Sequence, residues 1–205
     1  MFPAAAAEFL QHWPHDAPLR WTPKDFAAQQ AFVNAQLVGP SWLDWSTESA
    51  AFELCQAQWL GTPLVSAGEH NSVLLAGPVA ELLPPTTLFP LAAARLKPGG
   101  RLVGIVPCLR DNSPESQLFA QLAAESLWPY TTAEELLELL AEAGLTPDTD
   151  ATRFVPVPRF NDAVLKDELA FQGFRRIFDT LEAQGYEPLE VGWGELRFTA
   201  TVTAG

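Results

Sequence analysis

Residues 72–107, SVLLAGPVAELLPPTTLFPLAAARLKPGGRLVGIVP, carry the pattern on which the fold turns. Ser72–Gly77 (SVLLAG) is a short apolar run bounded by a glycine, the mark of a strand. Residues 86–96 (TTLFPLAAARL) have helical composition with Pro90 inside, which predicts a helix that starts late or kinks. Lys97-Pro98-Gly99-Gly100 then reads as a turn. Pro98 stops the helix, and the two glycines take backbone angles that other residues resist. Arg101–Pro107 (RLVGIVP) is apolar enough to be a buried strand.

The same alternation of strands and helices extends outward in both directions. Upstream, SWLDW (41–45) is a strand candidate that runs into Ser46-Thr47-Glu48-Ser49, a helix-start signature. AAFELCQAQWL (50–60) has helical spacing and stops at Gly61. TPLVSA (62–67) is strand-like, and GEHN (68–71) is a turn. Downstream, Ser113 caps SPESQLFAQLAAESL, with Pro114 at the first helical position. Thr132 and Glu135 form a capping box for TTAEELLELLAEAG, and Gly144 marks its end. TRFVPVP (152–158) reads as a strand, and 162–184 as a long helical stretch containing Gly173. The closing runs EPLEVGW and ELRFTATVT alternate apolar with polar about Gly192-Trp193-Gly194, the pattern of a β-hairpin. Alternation of this kind predicts an α/β fold with a largely parallel sheet, to which the hairpin adds an antiparallel strand.

Residues 1–40 are different in character. Residues 3–11 are alanine-rich, and 23–36 (PKDFAAQQAFVNAQ) follow Thr22 as N-cap with Pro23 at the first position. Both predict helices, joined by a proline-punctuated turn carrying Trp13 and Trp21. Five of the seven tryptophans precede residue 60. Their first role is to pack an N-terminal lid on the core; stacking on a ligand or partner is the alternative. The expected organisation is an extension or lid over 1–40 and one α/β domain over 41–205, forming a single globular unit.

Composition narrows the function. Twelve basic against 25 acidic residues give 205 residues a net charge of −13. Such a surface repels phosphate backbones and anionic membranes, so nucleic-acid and membrane partners are not expected. No run reaches the roughly 18 apolar residues of a membrane span. The start lacks the basic n-region of a secretory signal. Two cysteines, Cys55 and Cys108, suit free thiols in a reducing compartment, and a cytoplasmic location is expected. His12, His15 and His70 form no metal-binding pattern.

The middle of the chain resembles the class I S-adenosylmethionine-dependent methyltransferases. SVLLAGPVAELLP looks like that family's fourth strand and following loop, and LAAARLKPGGRLVGIVP like the next helix, turn and fifth strand. YTTAEELLELLAEAGL looks like the helix that follows, and the C-terminal runs fit the family's final antiparallel strand. The resemblance covers roughly 41–145 and the end. It implies a Rossmann-like sheet with a cofactor loop after the first strand, in the pattern Leu-Asp-x-Gly-x-Gly-x-Gly. The matching segment is Leu43-Asp44-Trp45-Ser46-Thr47-Glu48-Ser49-Ala50. Leucine and aspartate match, but Ser46, Glu48 and Ala50 stand at the three glycine positions. Side chains there fill space the cofactor needs. Glu48 also sets a negative charge where the cofactor's carboxylate would meet a helix N-terminus. A simpler role for this segment is structural, with Ser46 or Thr47 capping a helix and Glu48 favouring its dipole.

The sheet itself is expected to be truncated. Four residues separate TPLVSA from SVLLAG and span at most about 14 Å, whereas a parallel crossover takes a dozen or more. One strand–helix unit of the family is therefore missing. Glu69 is the acid placed to stand in for the family's ribose-binding residue, although GEHN reads first as a turn. Gly77, in the loop after the fourth strand, completes the candidate cofactor positions. Where the family often has an acceptor-side aspartate and histidine, this chain has Ser72 and Leu82, so no general base is evident. Cys108, Asp111 and Tyr130 lie near the expected C-terminal edge of the sheet.

These residues predict a methyltransferase-like protein that does not bind S-adenosylmethionine in the standard way. Such a protein would act as a non-catalytic partner or scaffold, paired with an active methyltransferase or a second copy of itself. The alternatives are a divergent active methyltransferase on a small molecule or protein, with S-adenosylmethionine as cofactor, and a binding module for another small ligand. Methyl transfer draws much of its rate from positioning, so a missing base does not exclude the former.

Overall fold

A computed structural model describes residues 23–60, 70–125, 130–156, 179–186 and 193–202. In chain order its elements are α1 (Pro23–Gln36), β1 (Trp42–Trp45), α2 (Glu48–Leu60), β2 (His70–Leu75), α3 (Gly77–Leu82), α4 (Pro85–Arg95), β3 (Leu96–Leu109), α5 (Pro114–Glu125), α6 (Ala133–Glu142), β4 (Leu145–Pro147), β5 (Arg153–Pro156) and β6 (Trp193–Val202). Residues 179–183 are also helical.

The sheet is parallel at one end and antiparallel at the other. β1, β2 and β3 are parallel neighbours. β6 lies antiparallel to β3, from Arg101↔Thr201 to Leu109↔Trp193. On its far side β6 carries β4 and β5 end to end, both antiparallel. The two are separated by a turn in which Asp148 accepts from Asp150 N and Thr152 Oγ1. The order is therefore β1-β2-β3-β6-β4, with β5 also on β6. Among the described residues β1 is the edge strand, with β2 as its sheet partner; the run TPLVSA, on which the expected truncation rests, lies outside them.

Period-two alternation divides the strands between two cores. Trp45, Val73, Leu75, Leu102, Val106, Cys108, Leu196, Phe198 and Ala200 face one side, under α2 to α4 and α6. Leu74, Val103 and Ile105 face the other, where Phe32 and Val33 of α1 cover them. At Gly104 the backbone comes close to Phe198 on β6: a Cβ there would overlap the Phe198 ring. That ring in turn meets Phe89 of α4 edge-on, with centroids 5.8 Å apart.

Several local expectations hold. Thr132 accepts from Glu135 N while the Glu135 side chain accepts from Thr132 N, a complete capping box. Ser113 accepts from Ser116 N at the head of α5. Gly144 adopts φ 74° just past α6. Others are corrected. α4 begins early, with Pro85 in its first turn, where a missing N–H costs nothing, and Pro90 lies within it on its exposed side. Residues 77–82, read as loop, form the short helix α3 with Val79 and Ala80 buried. Lys97–Gly100 is a bulge inside β3: His70 pairs with Leu96 and Ser72 with Arg101, so the extra residues loop out. Trp193 and Gly194, read as turn residues, are the first rungs of β6, opposite Leu109 and Cys108. The expected helix over 3–11, the strand-like TPLVSA, most of 162–184 and the run 187–192 lie outside the described residues.

Candidate functional site

Ligand sites in such sheets form beyond the C-terminal ends of the parallel strands. Three connections make that edge: Ser46-Thr47 after β1, Ala76-Gly77 after β2, and the segment from Arg110 to Ser113 after β3.

The first connection closes on itself. Asp44 Oδ1 accepts from Ser46 N at 2.9 Å and from Ser46 Oγ at 2.5 Å. Thr47 is the working cap of α2: its Oγ1 accepts from Ala50 N, and its carbonyl accepts from Ala51 N. The donors that a loop-to-helix junction could offer a ligand at Ser46 and Ala50 are thus consumed by neighbouring side chains. Ala50 is half-buried against the core, and Trp45 is buried within it. Glu48 is the first residue of α2.

The second connection packs directly on the first. Ala76 N donates to Trp45 O, and Gly77, at φ +53°, sits so close that an added Cβ would lie 3.1 Å from Ser46 O. Of the candidate cofactor residues, Asp44, Ser46 and Gly77 therefore meet in one corner, with Ala50 one helical turn away. Glu69 lies outside the described residues, as do His12 and His15.

The remaining polar candidates serve structure. Ser72 is fully buried, and its hydroxyl donates to Val38 O and accepts from Val38 N, pinning the α1–β1 link onto β2. Asp111 accepts from Ser113 N, and that bond holds its carboxyl below the usual carboxylate range; Ser116 Oγ adds a weaker one. Asp111 thereby anchors the start of α5. Tyr130 packs its ring on Phe119 at 5.5 Å. His70 sits at the N-terminal start of β2, near Ser41 Oγ and on the opposite edge from the site.

Cys108 has no exposure, and burial pushes its thiol up to about 12. The thiolate is the nucleophile, so this sulfur is inert. A thiol-reactive dye at neutral pH is expected to label Cys55, which is half-buried, and to reach Cys108 only on unfolding. Two thiols reacting at native rates would contradict this burial.

A second polar cluster lies on the face under α1, which the sequence did not single out. Glu195 and Arg197 of β6 are both buried, with Arg197 Nε donating to Glu195 Oε1 at 2.5 Å and Gln29 Nε2 to Glu195 Oε2 at 2.9 Å. The alternation of ELRFTATVT signals two unlike faces, but not that both are covered. Among the described residues no group of three His, Cys, Asp or Glu side chains is placed to hold a metal, and no helix is long and apolar enough to cross a membrane.

No family model matches the chain. No curated protein matches it in sequence. Solved structures do match it in fold. Geranyl diphosphate C-methyltransferase from Streptomyces coelicolor A3(2), in complex with Mg2+, geranyl diphosphate and S-adenosyl-L-homocysteine, aligns over 99% of this chain and 100% of its own at TM-score 0.60 and 13% identity. A geranyl diphosphate methyltransferase in complex with S-adenosylmethionine aligns over 87% and 85% at TM-score 0.57 and 14% identity. The [4+2]-cyclase SpnF aligns over 90% and 83% at TM-score 0.54 and 15% identity. The chain has the class I S-adenosylmethionine-dependent methyltransferase fold, in a Rossmann-like α/β form. Identity this low establishes the fold and not the activity.

The residues present do not fit that family's cofactor loop. The turn after β1 carries side chains at Ser46 and Ala50, and Asp44 and Thr47 occupy its amides.

Proposed function

We propose that this is a methyltransferase-fold protein that does not bind S-adenosylmethionine in the standard way and works as a non-catalytic protein partner. One observation carries the reading: Asp44 takes the amide and hydroxyl of Ser46, and Thr47 caps the head of α2, where the family leaves glycine backbone open. A net charge of −13 favours a protein partner over a nucleic acid or an anionic membrane. The mate is an active methyltransferase or a second copy, and the setting is the cytoplasm. In calorimetric titration the purified chain gives no binding heat with S-adenosylmethionine or S-adenosylhomocysteine at millimolar ligand. Micromolar binding of either sinks the reading. Its partner half is tested by light scattering behind size exclusion, where a strict monomer that joins no candidate methyltransferase counts against it.

The second reading is a divergent active methyltransferase. It is favoured by fold neighbours that hold S-adenosylmethionine or S-adenosylhomocysteine, and micromolar binding would support it. A third, a module binding some other small ligand at the remodelled edge, draws on the cyclase among the neighbours. Native mass spectrometry of freshly purified protein would show the retained ligand.

A further inference from the structure

β6 directs Glu195, Arg197 and Thr199 to the sheet face that α1 covers, opposite Leu196, Phe198 and Ala200. All three are buried, at 2%, 3% and 0% exposure. Glu195 is well served, by Arg197 Nε and by Gln29. Its neighbours are not. Among the described residues, the two Nη groups of Arg197 meet no acceptor, and the Thr199 hydroxyl is buried without a hydrogen-bond partner. Arg153 of β5 stands directly across the ladder from Arg197, on the same face. It is exposed, and among the described residues no acid pairs with it.

Each feature carries a cost. Like charges directly opposite on neighbouring strands repel, and a buried hydroxyl without a partner forfeits its hydration. Shortage of acids does not force the arrangement in a chain with 25 of them. Among the described residues, two arginines against one glutamate leave one surplus positive charge. A single occupant relieves all of this: an acceptor-only anion that takes the free fork of Arg197, the guanidinium of Arg153 and the Thr199 hydroxyl as donors. We propose that the β5–β6 ladder holds a small oxyanion, a phosphate or a carboxylate group, between Arg153, Arg197 and Thr199. The site lies level with Ile105, in the middle of the sheet, and is independent of the edge after β1.

The test is thermal unfolding of the full chain in sodium phosphate and in sodium acetate, each against sodium chloride at equal ionic strength. The active anion raises Tm by about 5–10 °C at roughly a hundredfold excess over its Kd. A response to phosphate alone identifies a phosphate site, and a response to acetate identifies a carboxylate site. Arg153→Ala weakens the apparent affinity by about tenfold, with the anion-free Tm unchanged or slightly raised. Thr199→Val raises the anion-free Tm, because it removes an unsatisfied hydroxyl, and yet reduces the anion response. That opposed pair of shifts is one a merely structural threonine would not give. The proposal is overturned if neither anion exceeds the chloride control, or if both variants keep the full response.

Discussion

Glu195→Ala is expected to destabilise the protein by about 3–5 kcal/mol, because it strands a buried arginine without its acid. Arg197 is 3% exposed, its Nε is donated to Glu195, and Gln29 reaches the same carboxylate from α1. Removing the acid leaves a buried cation without its carboxylate. It also removes a polar tie between α1 and β6. Removing both charges together is less damaging, since a matched apolar pair is often neutral or stabilising. Glu195→Leu combined with Arg197→Met should therefore recover much of the loss. Denaturant midpoints at constant m-value measure both variants. A loss below about 1 kcal/mol in Glu195→Ala would mean that water relieves the pair, as at a surface.

Phe198→Ala is expected to cost about 3–5 kcal/mol as well, through an emptied core. The ring is fully buried, covers Gly104 on β3 and meets Phe89 of α4 edge-on, so it joins the sheet to its helical layer. The same geometry makes Gly104→Val destabilising alone, by roughly 1–3 kcal/mol or more, since the ring already fills that space. In the Phe198→Ala background the valine side chain enters the vacated volume and costs less than it does alone. A double-mutant cycle reads that coupling. Strict additivity would show that glycine and ring do not compete for one space.

The fold was largely legible because its signals are local. The runs SVLLAG and RLVGIVP, the Thr132–Glu135 box and Gly144 each act over a few residues, and each forms as expected. Pro90 misled because a proline inside a helical pattern suggests a boundary, whereas Pro85 supplied an earlier start. Lys97–Gly100 looked like a turn between elements, and only pairing with β2 makes it a bulge. The site was legible by subtraction: the glycines missing at Ser46, Glu48 and Ala50 are visible in the sequence. That Asp44 folds back onto Ser46 is not, since it depends on backbone direction at the end of β1. The row of Glu195, Arg197 and Thr199 was hidden for another reason. Alternation reveals that a strand has two faces, and what covers the polar one is decided by distant chain, here α1.

The proposed function rests on the turn after β1 being closed to the cofactor by its own side chains. Amide resonances of Ser46, Thr47 and Ala50, followed by heteronuclear NMR during addition of S-adenosylhomocysteine to millimolar concentration, test it most directly. These resonances are expected to stay in place. Saturable shifts centred on them, at micromolar ligand, would contradict it.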